Sequence, residues 1–151
     1  MATTVTAATL TVSVTETITI NGTTYDQTVS KELTSVGNVS KRIHTIPAAT
    51  TVTLATFASA GDGANFDVED LKYMRITNLD DGEGLILTKA FNATSAATEL
   101  KAGCSVTYFT PNGFGATSKA AITTQDDIET LFVRNNHGGN AVDLEVFIAT
   151  A

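Results

Sequence analysis

Between Thr9 and Ile20 the chain reads TLTVSVTETITI. This alternation sets Leu10, Val12, Val14, Ile18 and Ile20 on one side and Thr9, Thr11, Ser13, Thr15, Thr17 and Thr19 on the other. A period of two is that of a β-strand with one face in a core and one in solvent. Asn21-Gly22 follows, the dipeptide suited to a two-residue type I′ turn because both central residues need positive φ. Such a turn fixes a register: Ile20 faces Thr23, Ile18 faces Tyr25, Glu16 faces Gln27 and Val14 faces Val29. The two polar residues that interrupt the apolar face then become cross-strand neighbours able to hydrogen-bond one another.

Further strand signals recur about every ten residues. Val39 to Ile46 is a short strand stopped by Pro47, and Thr51 to Phe57 is another. Ala58 to Asp70, with Gly61, Gly63 and four acidic residues, reads as a long loop or irregular crossover. From Lys72 to Phe91 the pattern gives a strand, a tight acidic turn over Asp80 to Gly84 and a return strand. Asn92 to Thr98 reads as a small-residue loop. Cys104 to Phe109 is a strand ended by Pro111-Asn112-Gly113, and Phe114 to Ala121 is loop-like. Thr124 to Glu129 suits one helical turn with Thr124 as N-cap. A last hairpin runs over Thr130 to Asn135, turns at His137-Gly138-Gly139-Asn140 and returns over Ala141 to Ala149, with Val142, Leu144, Val146 and Ile148 on its core face. No amphipathic helix of usable length and no internal repeat occurs. The expected fold is all-β: an antiparallel β-sandwich, a jelly roll of about eight strands over residues 9–151, with residues 1–8 as a flexible arm.

Composition supports that class. Only 17% of the 151 residues are charged, and threonine, which favours a pleated, half-solvated surface, occurs 28 times. The net charge of −7 and the scatter of the basic residues, with Lys41-Arg42 the sole adjacent pair, argue against a nucleic-acid partner. The amino terminus has no signal-peptide pattern, and no apolar run has membrane-spanning length. A single cysteine excludes an intramolecular disulfide.

Candidate chemistry is sparse. Cys104 has no companion ligand for zinc and reads as a small buried apolar residue. His137 belongs to a polar turn, and His44 is expected to point outward from its strand. Asn21, Asn38 and Asn92 head Asn-x-Ser/Thr triplets of the kind a threonine-rich chain throws up by chance. Two acidic loops offer oxygen ligands of the type calcium takes, Asp62 and Asp67 in one and Asp80 and Asp81 in the other, without the spacing of an EF-hand. Exposed flat aromatics for stacking on sugar are few: there is no tryptophan, and the tyrosines are Tyr25, Tyr73 and Tyr108. The hydroxyl row Thr9, Thr11, Ser13, Thr15, Thr17 and Thr19 occurs on one strand, as a solvated face or one covered by a neighbouring subunit. These features indicate a structural or interaction protein, with no cofactor.

Several runs together resemble a known family. Leu71-Lys72-Tyr73-Met74-Arg75-Ile76-Thr77-Asn78 is followed by an acidic Gly turn and strand, then Leu100-Lys101-Ala102-Gly103. Leu131-Phe132-Val133-Arg134-Asn135 and the closing Val142 to Ile148 complete the pattern. About half the chain, from Leu71 to Ala149, thus resembles the small jelly-roll virion proteins of tailed bacteriophages. The resemblance implies a non-enzymatic head decoration or cement protein that binds the major capsid protein after synthesis in a bacterial cytoplasm. It also implies a homo-oligomer, with a trimer expected, and the row Thr9 to Thr19 as its interaction face. A tail or fibre component and a carbohydrate-binding sandwich remain open as alternatives.

Overall fold

The computed structural model describes residues 6–58, 64–91, 94–108, 116–117, 125–126 and 128–151. Every regular element among them is a strand: β1 (Ala8–Ile20), β2 (Thr23–Val36), β3 (Asn38–Ile46), β4 (Thr51–Ala58), β5 (Phe66–Asp67), β6 (Leu71–Asn78), β7 (Leu85–Phe91), β8 (Thr94–Leu100), β9 (Ser105–Tyr108), β10 (Ala116–Thr117), β11 (Gln125–Asp126), β12 (Thr130–Arg134) and β13 (Val142–Thr150). One sheet has the order β5-β4-β12-β7-β8 and the other β3-β13-β6-β9, while β1-β2 and β10-β11 form separate pairs. Apart from the short parallel contact of β5 with β4, all ladders are antiparallel. The protein is an antiparallel β-sandwich.

Alternation explains why the sheets stack. In β13, Val142, Leu144, Val146 and Ile148 enter the interior while Asp143 and Phe147 turn away from it. They meet Ala55 and Phe57 of β4, Leu131 and Val133 of β12, and Leu85, Leu87 and Phe91 of β7 in one continuous apolar layer. Each fully buried side chain of this size contributes roughly 1.5–3 kcal/mol relative to exposure.

Taking only the eight longer strands of the two sheets in chain order, β3, β4, β6, β7, β8, β9, β12 and β13, one sheet runs first, eighth, third, sixth. The other runs second, seventh, fourth, fifth. The chain therefore crosses between layers at most connections. This corrects two expectations. The acidic turn after β6 and the His-Gly-Gly-Asn turn after β12 do not close hairpins; each carries the chain from one sheet to the other.

The same device holds both crossings. Asn78 and Asn135 are fully buried at the ends of β6 and β12. Asn78 Nδ2 donates to the carbonyls of Glu83 (2.7 Å) and Leu100 (3.1 Å), and its Oδ1 accepts from the Asp80 amide. Asn135 Nδ2 donates to the carbonyls of Asn140 (2.8 Å) and Ile46 (3.1 Å), and its Oδ1 accepts from the His137 amide. Each amide satisfies backbone groups that a crossing loop would otherwise leave unpaired in the interior.

Other expectations change as well. Thr94–Leu100 is strand β8, paired with β7, where a loop was expected. Its run of Thr, Ser, Ala and Glu lies exposed at the sheet's edge, so it carries no apolar alternation. Gln125–Asp126, expected within a helical turn, pairs instead with Ala116–Thr117, the latter expected as loop; Thr124 and the rest of Phe114 to Ala121 lie outside the described residues. Of the terminal arm, residues 1–5 lie outside the described residues, and Ala8 already pairs with Val36 in β1.

Replacing Asn78 by alanine removes both donors to Glu83 and Leu100 and the acceptor for Asp80. A loss of roughly 2–4 kcal/mol in urea unfolding is expected, against near neutrality for an exposed alternative such as Asn136→Ala.

Candidate functional site: an exposed ribbon beside an open sheet edge

The register set by Asn21-Gly22 is the one present. Both turn residues have positive φ, 51° and 79°, and Ile20 pairs with Thr23, Ile18 with Tyr25, Glu16 with Gln27 and Val14 with Val29. What differs is burial. The face expected to be core is covered only at its root, where Leu10, Val12 and Leu33 pack on Val36, Tyr73, Phe147 and Ala149, on the outer face of the four-stranded sheet. Beyond that root, Val14, Ile18, Ile20, Tyr25 and Val29 are 50–58% exposed. From Ser13 to Ile20 the ribbon extends about 26 Å past its packed base.

Two local features aim it. Between the pairs Ala8–Val36 and Leu10–Leu33 the register shifts, and Ser35 sits there at φ 60°. This bulge bends the ribbon where it leaves the body. Gly37, the one residue between β2 and β3, donates its amide to the Thr150 carbonyl (2.9 Å), and a Cβ there would lie 2.9 Å from the Ala151 carbonyl carbon. Only glycine lets the ribbon's exit sit against the carboxyl-terminal strand.

The residues of the row Thr9, Thr11, Ser13, Thr15, Thr17 and Thr19 are exposed on the ribbon's opposite face. Ser13 and Ser30 (2.8 Å), Thr15 and Thr28 (3.0 Å), and Thr19 and Thr24 (3.1 Å) hydrogen-bond one another across the strands. These hydroxyls are mutually satisfied, whereas beyond the root the apolar side chains on the other face are half exposed beside their cross-strand neighbours. Covering those five, which the Glu16–Gln27 pair divides into two groups, would return about 1 kcal/mol each.

Beside the ribbon's root the sandwich stands open. β3 ends one sheet, and β4 borders the other except where β5 joins it at Phe57 and Ala58. A cleft of about 540 Å³ lies between them, walled by Ser40, Arg42 and His44 on one side and Thr53 and Phe66 on the other, with Val146 and Ile148 behind. His44 thus turns inward, contrary to its expected outward position: it pairs with Leu144, whose side chain is core. Partial burial, with the Arg42 charge nearby, holds its imidazole below the usual 6.5. Elsewhere Lys89 Nζ lies 4.6 Å from the centroid of the Tyr108 ring, linking β7 of one sheet to β9 of the other.

The remaining candidates have local tasks. Asp80 Oδ1 accepts from the amides of Gly82 (2.8 Å) and Glu83 (2.7 Å), bonds that hold its carboxyl below the usual range. Asp81 is exposed in the same turn. Asp67 Oδ1 accepts from the Glu69 amide, and Asp62 lies outside the described residues. Among the described residues no three His, Cys, Asp or Glu side chains converge as metal ligands. His137 Nδ1 lies 2.7 Å from Glu83 Oε2, tying the two crossing loops together. Cys104 is exposed, not buried, because it ends the turn at Gly103, whose φ is +67°.

On the outer face of the four-stranded sheet, Glu145 joins Lys41 (2.9 Å) and Arg75 (2.5 Å). The hydrogen bond from Lys41, then that from Arg75, holds its carboxyl below the ordinary 4.5. No protein-family model matches the chain, and neither does any curated protein sequence.

Two outcomes follow from this geometry. A carboxylate with a depressed folded-state pKa stabilises the fold above its unfolded value and loses that contribution as pH falls through the folded one. The stability of the native protein therefore drops more steeply below pH 4.5 than that of Glu145→Gln, as measured by urea midpoints across the acid range. The Cys104 thiol reacts with an aromatic disulfide reagent in the native protein as fast as in urea, where a buried thiol would wait for unfolding.

Proposed function

We propose that this protein is a non-enzymatic structural component of a virus particle, a decoration or cement protein that binds the assembled head of a tailed bacteriophage. The observation that carries this reading is the ribbon. A rigid sandwich body projects a long two-stranded element whose apolar face is bare from Val14 to Val29. A two-stranded ribbon alone is marginal in water, so a partner surface is its natural complement. The strand order supports the same reading. We take first-eighth-third-sixth facing second-seventh-fourth-fifth as the connectivity of a jelly roll, an architecture found in viral capsid and lectin domains.

In this role the body sits on the shell, and the ribbon reaches across a boundary to a capsid subunit or a sister copy around a symmetry axis, with three copies our preferred number. Association is the whole mechanism. The protein is synthesised in the bacterial cytoplasm and carried in the virion.

The test is co-sedimentation. Purified protein is expected to pellet with heads prepared from the parent phage and to stay in the supernatant with insoluble polysaccharide. A variant in which Ser13–Ser30 is excised and Val12 is joined to Lys31 through Asn-Gly keeps the packed root, unfolds at the same temperature and no longer pellets with heads. Pelleting with polysaccharide, or labelling of tails instead of heads in electron micrographs, overturns the proposal.

A further inference from the structure

We infer that the cleft between β3 and β4 is a binding site for a small organic phosphate, with Arg42 and His44 holding the phosphoryl group and Phe66 bordering the apolar body attached to it. The inference stands apart from the reading of the ribbon and concerns a different part of the molecule.

Parity builds the polar wall. Ser40, Arg42 and His44 pair across the ladder with Ile148, Val146 and Leu144 of β13, whose side chains belong to the core. Cross-strand partners share a face, so these three polar side chains also turn inward between the sheets, at intervals of about 7 Å. Across the gap β4 contributes the Thr53 hydroxyl, and Phe66 of β5 adds a half-buried ring. The end where residues 47–50 join β3 to β4 is filled by Ile46 and Val52. The volume of about 540 Å³ falls within the roughly 300–1,000 Å³ of small-molecule sites.

Its donors are unengaged. Of the three arginines in the chain, Arg75 is bonded to Glu145 and Arg134 to Asn136, whereas Arg42 has no ion pair or side-chain hydrogen bond among the described residues. The side chains of Ser40, His44 and Thr53 have none there either. Elsewhere the hydroxyls of Thr45, Thr50, Thr56 and Thr77 are each bonded. Among the described residues no carboxylate lines the cleft, and Arg42 is the one charged side chain beside His44; β4 and β13 contribute none. Glu145 of β13 lies on the sheet's other face with Lys41 and Arg75.

Two basic groups on one strand face, with hydroxyl donors beside and opposite them and no anion between, are the elements that recognise an oxyanion. The guanidinium offers a planar pair of N–H groups and the imidazole one more. A dianion suits the pair better than a monoanion. Partial burial and then the Arg42 charge disfavour the protonated form of His44, and a doubly charged group offsets both. A phosphate monoester carries about −1.5 to −2 near pH 7 and presents three acceptor oxygens, where a carboxylate presents two. Phe66, packed 5.9 Å from the Phe57 ring, and Ile148 give the attached body an apolar surface.

Isothermal titration calorimetry with phenyl phosphate as the probe, near neutral pH and at low salt, tests the site. The native protein is expected to bind a single equivalent, at least about tenfold more tightly than inorganic phosphate or benzoate. Arg42→Gln weakens that binding by roughly tenfold or more. Lys101→Gln removes the same charge from an exposed position between β8 and β9, at the opposite edge of the sandwich, and leaves binding unchanged. In NMR titrations His44, and not His137, takes up its proton at higher pH once phenyl phosphate is bound. Urea midpoints establish that each variant folds. No saturable binding by the native protein, equal losses in Arg42→Gln and Lys101→Gln, or benzoate bound as tightly as phenyl phosphate overturns the proposal. In the first case the row Ser40, Arg42 and His44 only guards the free edge of β3 against pairing. A protein that pellets with heads and ignores phenyl phosphate loses this inference alone.

Discussion

The apolar layer between the two sheets is the constraint on which the rest of the molecule depends, and its ends are as informative as its middle. Each sheet buries one face because its strands alternate, and the two faces share Leu131, Val133, Leu144, Ile76 and their neighbours. The layer ends at β3 and β4, whose edges part around Arg42 and His44. A strand with polar residues on the side facing a core is paired there only as far as its backbone requires. The open margin is therefore a consequence of the sequence of β3, Ser-Lys-Arg-Ile-His, and not a gap left by poor packing.

At the crossing loops the physical problem is different. A chain leaving one sheet for the other must pass the end of the core with its backbone groups satisfied, and no ladder is available to do it. Asn78 and Asn135 solve this with one amide each, donating twice and accepting once. Asparagine suits the position because its uncharged amide both donates and accepts, while aspartate would bring an unpaired charge into a fully buried site.

The register of the ribbon was legible from Asn21-Gly22 because a two-residue turn determines which side chains face each other without reference to anything distant. The burial of that ribbon was not legible. Alternation states that one face is apolar; it does not state what covers it, and here the body covers only Leu10, Val12 and Leu33. The crossings are hidden in the sequence for a related reason. Polar Gly-containing turns look alike whether the next strand pairs in the same sheet or stacks in the other, and the clue lay in the six residues separating Asn78 from Leu85. Strand β8 gave no signal because an edge strand exposed on both faces needs no apolar residue. Polarity alone predicts an outward His44, and its inward position follows from the open margin of the sandwich, where a polar side chain can face the cleft.

The ribbon can be weighed against the body it leaves. Isolated two-stranded hairpins owe their stability to turn chemistry and cross-strand pairs worth a few tenths of a kcal/mol to about 1 kcal/mol each. This ribbon has the favoured turn, three hydroxyl pairs on one face and Val14–Val29 and Ile18–Tyr25 on the other. That is enough to keep it in register but too little to account for a row of exposed valine, isoleucine and tyrosine. Solubility alone would favour charges on both faces, as edge strands commonly carry. This sequence instead places its apolar residues on one face, with Glu16 among them, and pairs Ser13, Thr15 and Thr19 with hydroxyls across the strands on the other, so the apolar face is left uncovered by its own chain beyond Leu10, Val12 and Leu33.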